Sequence, residues 1–344
     1  MPSRLLDYPC GPAPEPGSVT AVADGVFWIR MPLPFPPMHI NMWLLRDGPG
    51  WTVVDTGIRS RKVQDAWDNI FATALEHKPV TRLICTHFHP DHSGLAGWIA
   101  ERWGAPLWMS REEWLHGRLQ GIDALPTIPG EVLTYYQRAG YSEHMMGLAR
   151  GRSWDNFAKI TEPLPRSFRR VTDGESILID GREWRVIVGR GHAPEHVCLF
   201  SPDLDVLISG DQILPRITPH VGVTATEPDA NPLREYIGSL ASFEPLPPNT
   251  LVLPSHGEPF RGLPGRIAYL RAHHAERLDA IDAACREPVG VVQLLPVMFR
   301  RELKDDELGL AFNETLAHIH LLISQGRLTR EIAADGAYCY RRAG

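Results

Sequence analysis

The stretch Thr86-His87-Phe88-His89-Pro90-Asp91-His92 decides the fold and the chemistry that we expect of this chain. It follows the largely apolar run at residues 82–85, which predicts a short buried strand. Alternation along an extended segment directs the side chains of His87 and His89 to the same side. Polar residues at the carboxyl end of a strand are where open α/β sheets usually place their functional sites.

Three further residues of the same kinds lie later in the chain, each after a glycine-rich or apolar run. They are His192 after residues 189–191, Asp211 after residues 206–210, and His256 after residues 251–255. Loops that follow strand ends are expected to meet at one sheet edge, beside the first cluster. A single histidine in such a place is ordinarily structural, but four candidate ligands within six residues are hard to attribute to chance.

These residue types suit a pair of metal ions. Imidazole and carboxylate together fit Zn²⁺, with Fe or Mn as alternatives. Five histidines and two aspartates provide two sites if one carboxylate is shared. Ions about 3.5–4 Å apart can hold a hydroxide between them, and coordination lowers the pKa of water towards ~7. The candidate ligands are His87, His89, Asp91, His92, His192, Asp211 and His256.

The motifs resemble those of the metallo-β-lactamase superfamily over about residues 20–260. The resemblance is carried by residues 86–94, 191–196, 209–211 and 254–257. It implies an α+β fold, the four-layer αββα sandwich. It also implies one metal ion held by His87, His89 and His192, a second held by Asp91, His92 and His256, and Asp211 bridging the two.

Asp211 points to a branch within this superfamily. The true zinc β-lactamases carry Cys or Ser at that position, so the aspartate resembles the glyoxalase II and thioesterase-like branch. The end of the chain is similar to that of β-lactamase-like protein 2 relatives. It lacks the basic glutathione-binding run of true glyoxalase II, which leaves that particular substrate open.

The ligands and the resemblance together predict a metal-dependent hydrolase that directs the hydroxide at a small acyl substrate, with a thioester as the leading hypothesis. A lactone or a β-lactam is the alternative within the same mechanism. An RNA- or DNA-processing nuclease is the alternative from another class, and a catalytically silent metal-binding protein is a third. The presence of all seven candidate ligands argues against a catalytically silent protein. Asp91, beside the attacking oxygen, is the best candidate for proton transfer.

Four residues outside the ligand set are candidates for supporting roles. Asp55 ends the strand at residues 51–55 and resembles the carboxylate with which the family orients a metal ligand. A turn-forming aspartate is a nearly equal alternative. Arg216 and His220 lie in the loop after Asp211, which faces the metals in this family, so we expect them to contact substrate. His196 could orient a ligand, but a structural role is favoured.

Composition excludes several classes of protein. The net charge of −6 argues against a protein built mainly to coat nucleic acid or an anionic membrane. The five cysteines are scattered without a C-x-x-C pair, which fits a reducing compartment rather than a disulfide framework. No run approaches the ~20 apolar residues that span a bilayer. We therefore expect a cytoplasmic protein with a small-molecule partner, and a homodimer stays open.

The chain divides into three predicted regions. Residues 1–18 are rich in Pro and Gly and predict an irregular arm. Residues 19–262 form the predicted catalytic domain, in which residues 110–165 read as a helical cap insertion with many large side chains. Its aromatic and Met side chains suggest an apolar wall for an acyl group, although such stripes are more often core.

The third region, residues 263–344, is predicted to be a small winged-helix-like domain. Helical patterns at residues 264–285, 288–300 and 307–325 precede a hairpin at residues 327–341 around Asp335-Gly336. Winged helices often bind DNA. The mixture of basic and acidic residues at 300–307 forms no strong basic face, which argues against that role.

Overall fold

The structure, a computed structural model, describes residues 6–154 and 157–344. Residues 1–5 of the predicted arm and residues 155–156 of the predicted insertion lie outside the described residues. The chain forms two compact units. The first lies within Met1–Ala124, Asp155–Pro219 and Leu240–Ile267, and the second within Leu125–Trp154, His220–Ser239 and Ala268–Gly344. The predicted domain boundaries followed the chain in order, whereas the second unit combines three separate segments.

A seven-stranded sheet occupies the N-terminal part of the first unit, with its strands in sequence order. The first four strands pair antiparallel and the last four pair parallel, with β4 belonging to both sets. The strands are β1 Thr20–Ala23, β2 Val26–Pro32, β3 His39–Asp47, β4 Gly50–Val54, β5 Val80–Ile84, β6 Leu107–Met109 and β7 Arg169–Arg170.

The central strands β3 and β4 are buried on both faces because most of their side chains are apolar. On β3, Ile40 and Met42 point to one hydrophobic core, while Trp43 and Leu45 point to the other. Successive side chains in a strand face opposite sides, so an unbroken apolar run fills two cores at once. Trp43 stacks on Trp28 of β2, its partner in the ladder, with ring centroids 6.4 Å apart.

A second sheet of five strands packs on one of these faces. Its order is β12-β11-β10-β9-β8, and only β11 and β12 run parallel. Val186, Leu199 and Ile208 share their core with Trp28 and Ile84 of the first sheet. The strands are β8 Ser176–Ile179, β9 Arg182–Gly189, β10 His196–Ser201, β11 Val206–Gly210 and β12 Leu251–Pro254.

Helices cover the other face of the first sheet. The helix α1 begins after Ser60, whose hydroxyl accepts a hydrogen bond from the amide of Val63, and it buries Trp67 and Ile70 against the sheet. The predicted αββα sandwich is confirmed. The helices of this unit are α1 Arg61–Thr73, α2 Pro90–Ser93, α3 Ala96–Trp103 and α4 Arg111–Ile122, with a 3-10 helix at Leu240–Phe243.

The second unit is mainly helical and ends in a two-stranded hairpin. The predicted insertion is helical as expected, and its α5 and α6 belong to this unit. The three C-terminal helices and the hairpin occur where predicted, with Gly336 at φ 83° in the turn. The elements are α5 Gly130–Ala139, α6 Glu143–Arg150, α7 Pro232–Ser239, α8 Leu263–Ala284, α9 Val291–Met298, α10 Leu308–Ser324, β13 Leu328–Ile332 and β14 Tyr338–Arg342, and α8 belongs to this unit from Ala268 onwards.

The winged-helix-like arrangement of these elements stays a prediction. Within the part of the chain that the structure describes, no helix is both long and apolar enough to cross a membrane. The helix α10 is the most apolar long helix of the second unit, and it buries Phe312, Leu316 and Ile319 among its neighbours. Its apolar residues thus serve a protein core.

Candidate metal centre

The seven predicted ligands converge at the carboxyl ends of strands from both sheets. His87 follows β5, His192 follows β9, Asp211 follows β11 and His256 follows β12. The short helix α2 begins at Pro90 and carries Asp91 and His92 back towards the strand ends. Their ligand atoms form three overlapping groups, and within each group all atoms lie within 4.8 Å of one another.

The first triad consists of His87, His89 and His192. The Nε2 atom of His87 lies 2.9 Å from Nδ1 of His89 and 3.3 Å from Nε2 of His192. The backbone bends at residues 86–89 instead of running extended, and the rings of His87 and His89 meet edge to face with their centroids 4.5 Å apart. Three imidazole nitrogens thus face one small volume, which is the donor set of many zinc sites.

The second triad consists of Asp91, His92 and His256. The Oδ2 atom of Asp91 lies 3.5 Å from Nε2 of His256 and 3.8 Å from Nε2 of His92. The ring of His92 is fully buried, and the side chain of Asp91 is 14% exposed. This triad therefore combines two imidazoles with one carboxylate that keeps a path to solvent.

Asp211 lies between the two triads. Its Oδ2 atom is 3.4 Å from Nε2 of His192 and 3.5 Å from Nε2 of His256. Its Oδ1 atom is 3.6 Å from Nε2 of His92. One carboxylate thus reaches ligand atoms of both triads, which is the geometry that a bridging ligand needs.

Two buried polar atoms at the centre test whether these residues fit a cation. Among the described residues, Nε2 of His92 and Oδ1 of Asp211 have no hydrogen-bond partner. A buried polar atom left unpaired costs about 1–3 kcal/mol. Both atoms point into the volume shared by the ligand groups, so the residues present fit divalent ions.

The rings of the second triad are held from behind. The Nδ1 atom of His92 lies 2.8 Å from Oδ2 of Asp55, and Nδ1 of His256 donates to the backbone oxygen of His39 at 2.8 Å. A ring whose Nδ1–H is occupied presents Nε2 to a metal in a fixed direction. Asp55 also accepts from the amide of Thr86 at 2.8 Å, and its backbone has φ 64°. This contact would let Asp55 orient the ring of His92, a role that stays a prediction.

Sequence reasoning missed His39 and Asn41, which secure the loop that carries His256. The amide of Gly257 donates to Nε2 of His39 at 3.0 Å. The Nδ2 atom of Asn41 donates to the backbone oxygens of Pro254 and Gly257, both at 2.8 Å. The signal in the sequence was two polar residues at alternate positions at the start of β3, directly before its apolar residues 42–45.

Sequence reasoning also missed Glu113 of α4. This fully buried carboxyl accepts hydrogen bonds from the amides of Phe88 at 3.0 Å and Glu195 at 2.7 Å. It therefore ties the segment that carries His87 and His89 to the turn that follows His192. Burial raises the pKa of Glu113 to about 8, although both amide hydrogen bonds oppose the shift.

His196 holds Asp211 through the backbone. Its Nε2 atom accepts a hydrogen bond from the amide of Asp211 at 3.0 Å. A Cβ atom on Gly210 would lie 2.3 Å from this ring, so only glycine permits the close approach. Burial lowers the pKa of His196 to about 3, which keeps the ring neutral and able to accept. The structural role favoured by the sequence is the one seen.

The two triads differ in charge. Burial, reinforced by neighbouring imidazoles, lowers the pKa of His87 and His89 well below the usual range. Burial also opposes protonation of His92 and His256, but the nearby carboxylates outweigh it. They raise the pKa of His92 well above its usual range and that of His256 to about 10. Among the carboxylates that raise these pKa values, Asp211 contributes most to both.

The two candidate substrate residues lie in different surroundings. Arg216 is 63% exposed, pairs with Glu258 at 3.2 Å and lies over the ring of Tyr8. His220 belongs to the second unit, where its Nδ1 atom lies 3.8 Å from Oε2 of Glu314. Neither is among the grouped ligand atoms. Their contact with substrate stays a prediction.

Comparison with known families agrees with this geometry. The profile of the Metallo-beta-lactamase superfamily matches residues 35–256. A second profile, described as the Metallo-beta-lactamase-like C-terminal domain, matches residues 278–343. The first match includes all seven predicted ligands, and the second includes the C-terminal hairpin.

Individual proteins are similar over much of the chain. A solved structure of a beta-lactamase domain protein from Burkholderia ambifaria is 43% identical, has a TM-score of 0.91 and covers 99% of each chain. The probable metallo-hydrolase YqjP of Bacillus subtilis is 24% identical over 319 residues, which is 89% of this chain and 94% of that protein. The acyl-coenzyme A thioesterase MBLAC2 of Bos taurus is 23% identical and covers 56% of this chain and 65% of its own length.

Proposed function

Because the chain belongs to the metallo-β-lactamase superfamily and is one of its metal-dependent hydrolases, we propose that it hydrolyses a small acyl substrate, a thioester, at a centre of two Zn²⁺ ions. The single observation that carries the proposal is the position of Asp211, whose carboxylate lies within 3.6 Å of ligand nitrogens from both triads. Within the superfamily, we propose a place beside glyoxalase II and the β-lactamase-like protein 2 relatives.

The residues of the two triads have distinct tasks in this proposal. His87, His89 and His192 would hold one ion, while Asp91, His92 and His256 would hold the other, with Asp211 shared. Ions bound here supply Lewis acidity and a water activated for attack near neutral pH. Asp55 and the backbone oxygen of His39 keep the rings of His92 and His256 aimed at the centre.

Asp91 is the proposed proton carrier. Burial alone would raise its pKa, but His92 and His256 outweigh burial and lower it, so the carboxylate is free to accept a proton. Its Oδ2 atom lies 3.5 Å from His256, and 14% of its side chain is exposed. It can therefore take a proton at the reacting centre and release it towards the leaving group or solvent.

Two features favour a thioester among acyl substrates. The relative MBLAC2 is named an acyl-coenzyme A thioesterase. Beside the first triad, the half-buried ring of Phe157 lies 6.1 Å from the ring of His89 and 6.2 Å from that of Phe88. An acyl chain can pack against these two aromatic rings while its carbonyl carbon faces the triads.

A substrate panel tests the proposal. The metal-loaded protein is assayed with acetyl-coenzyme A, an S-acylglutathione, a homoserine lactone, a chromogenic cephalosporin and single-stranded RNA. We expect the highest kcat/KM on a thioester, its loss on chelation and its return with Zn²⁺. A higher kcat/KM on the lactone or the cephalosporin would show that the proposed substrate class is wrong. Cleavage of RNA alone would show that the proposed function is wrong.

Two variants separate chemistry from folding in this assay. Asp91→Asn keeps the shape of the side chain but cannot accept a proton, so we expect kcat to fall while the thermal midpoint holds. Asp173→Asn is the matched control, because that exposed carboxylate only accepts from the amide of Val188. Equal loss in both variants would contradict a specific role for Asp91.

A further inference from the structure

The second unit contains a cavity of about 480 Å³ that is separate in sequence from every ligand of the metal centre. This volume lies in the range of small-molecule sites. Helix α5 contributes Tyr135 and Arg138, helix α10 contributes His320, and strand β14 contributes Tyr338 and Tyr340.

The sequence pattern explains why these side chains meet. On α5, Glu131, Tyr135 and Arg138 recur at helical spacing and line the same face. In the hairpin, Arg330 pairs directly with Tyr340 in the ladder, so both side chains project from one face. The hairpin thus turns a polar and aromatic face towards the cavity. Its other face is exposed to solvent.

Two phenols in this cavity have unused hydrogen-bonding capacity. Among the described residues, the hydroxyls of Tyr135 and Tyr340 are buried and have no hydrogen-bond partner. The side chain of Tyr340 is fully buried. Burial raises the pKa of both phenols, so each stays a hydrogen-bond donor at neutral pH. Two buried donors that line one cavity call for a shared acceptor.

The charges around the cavity narrow the kind of acceptor. Arg330 is already engaged, because it pairs with Asp229 at 3.3 Å and lies 4.5 Å over the ring of Tyr338. Arg138 has no ion-pair partner among the described residues. Glu131 is seven residues away on α5, about 10 Å along the helix. The end of the cavity at Arg138 therefore offers an uncompensated cation to an anion.

The remaining lining is apolar or uncharged. Leu316 of α10 is buried beside the cavity. His320 donates from Nδ1 to the backbone oxygen of Ala230 at 2.8 Å. Burial lowers the pKa of His320, so the ring is neutral and adds no second cation.

We propose that this cavity is a second ligand site, which binds a small carboxylic acid with an apolar body. The carboxylate accepts hydrogen bonds from the hydroxyls of Tyr135 and Tyr340 and lies towards the guanidinium of Arg138. The apolar body packs against Leu316 and the ring of Tyr338. The inference does not depend on the substrate of the metal centre, since none of its residues belongs to that centre.

Titration of the full metal-loaded protein with 2-naphthoate tests this site. Binding is followed by calorimetry, and 2-naphthamide serves as the neutral probe of the same shape. We expect saturable binding of the acid, and an affinity for the amide that is lower by roughly ten-fold or more, since hydrogen bonds to charged groups are the stronger ones. We expect Tyr135→Phe combined with Tyr340→Phe to weaken naphthoate by roughly ten- to hundred-fold.

Control variants separate this site from the metal centre and from folding. Tyr8→Phe removes another buried, unpartnered hydroxyl outside the cavity, so it leaves the affinity unchanged. Asp211→Ala removes the shared metal ligand, so naphthoate that binds at the metals is lost while cavity binding is retained. Because the hydroxyl of Tyr340 has no protein partner, Tyr340→Phe keeps or raises the thermal midpoint of the protein without ligand.

Five results would overturn the proposal. Four of them concern binding: no saturable binding up to about 10 mM, equal affinity for the acid and the amide, unchanged affinity in the double Phe variant, and loss of all binding in Asp211→Ala. The last result would assign the acid to the metal centre. A lower thermal midpoint in Tyr340→Phe would show that the hydroxyl has a structural partner, which also removes the argument for a ligand.

Discussion

The two triads of the metal centre lie side by side, but the protein supports them differently. His87 and His89 contact each other and His192, and burial keeps their rings neutral. His92 and His256 are each held through Nδ1 from behind, and carboxylates raise their pKa values. The first triad consists of imidazoles alone, whereas the second is a network of imidazoles and carboxylates.

This difference suggests a division of labour. A cation held by the first triad and the shared Asp211 would have one carboxylate beside it and would keep more positive charge, which suits polarisation of a carbonyl oxygen. A cation held by the second triad would have both Asp91 and Asp211 beside it and would be more fully neutralised, which suits firm retention. Because Asp211 contacts residues of both triads, a substitution of Asp211 should affect both of them. A substitution elsewhere in the centre should affect only one triad.

Asp211→Ala is expected to have the largest effect. Loss of the shared carboxylate removes the one ligand that lies beside both triads, so we expect loss of metal and a fall in kcat/KM of more than about 100-fold, since changes one shell further out already cost 10–100-fold. Metal analysis and hydrolysis assays check this result, with Asp173→Asn as the control. A variant that keeps two metals per chain and near-normal turnover would contradict a shared ligand.

Asp55→Asn should affect the second triad alone. The amide keeps the shape of the side chain but weakens the hydrogen bond that orients His92. We expect affinity for one metal ion to fall by about 10- to 100-fold, while the other ion is retained. Competition with a graded chelator measures the two affinities separately. If both affinities fell together, the two triads would not be independently supported.

Glu113→Gln should have a smaller effect, and that effect should be on the stability of the fold rather than on the affinity for metal ions. The amide offers one acceptor where Glu113 accepts from two backbone amides, so we expect a loss of about 1–3 kcal/mol in the free energy of unfolding. Denaturant titration measures this loss. A variant as stable as the parent chain would show that the two amides find other acceptors.

The stability difference at Glu113 should also depend on pH. Its pKa is about 8 in the folded state against an ordinary value of 4.5, so the folded state holds a proton that the unfolded chain releases. Stability from this group is therefore full below about pH 4.5 and declines as pH rises towards 8. We expect the parent chain to lose more stability than Glu113→Gln between pH 5 and pH 8. A difference that grows with pH would contradict burial of a protonated carboxyl.

Local patterns made most of the centre predictable. The cluster from His87 to His92 is contiguous, and the later ligands each follow a strand, so strand ends at a shared edge brought them together. Apolar runs also predicted the strands that precede Thr86 and Asp211, because those strands fill cores on two faces. The αββα sandwich followed from the resemblance that these motifs carry.

The supporting residues were not predictable because their contacts are distant in sequence. His39 meets a loop 218 residues away, and Glu113 joins segments that are 25 and 82 residues from it. A polar residue in a buried strand marks such a site only once its partner is known. The set of segments that form the second unit was also not predictable, because helices α5 and α6 combine with a C-terminal hairpin that is distant in sequence.

The most direct test of the account is the number of metal ions bound by the parent chain, His192→Ala and His256→Ala under metal-replete conditions, measured by native mass spectrometry. We predict two ions per chain in the parent and one in each variant, because each change opens a different triad while Asp211 remains. Fewer than two ions in the parent, or loss of both ions in the two variants alike, would contradict two separately supported triads joined by one carboxylate.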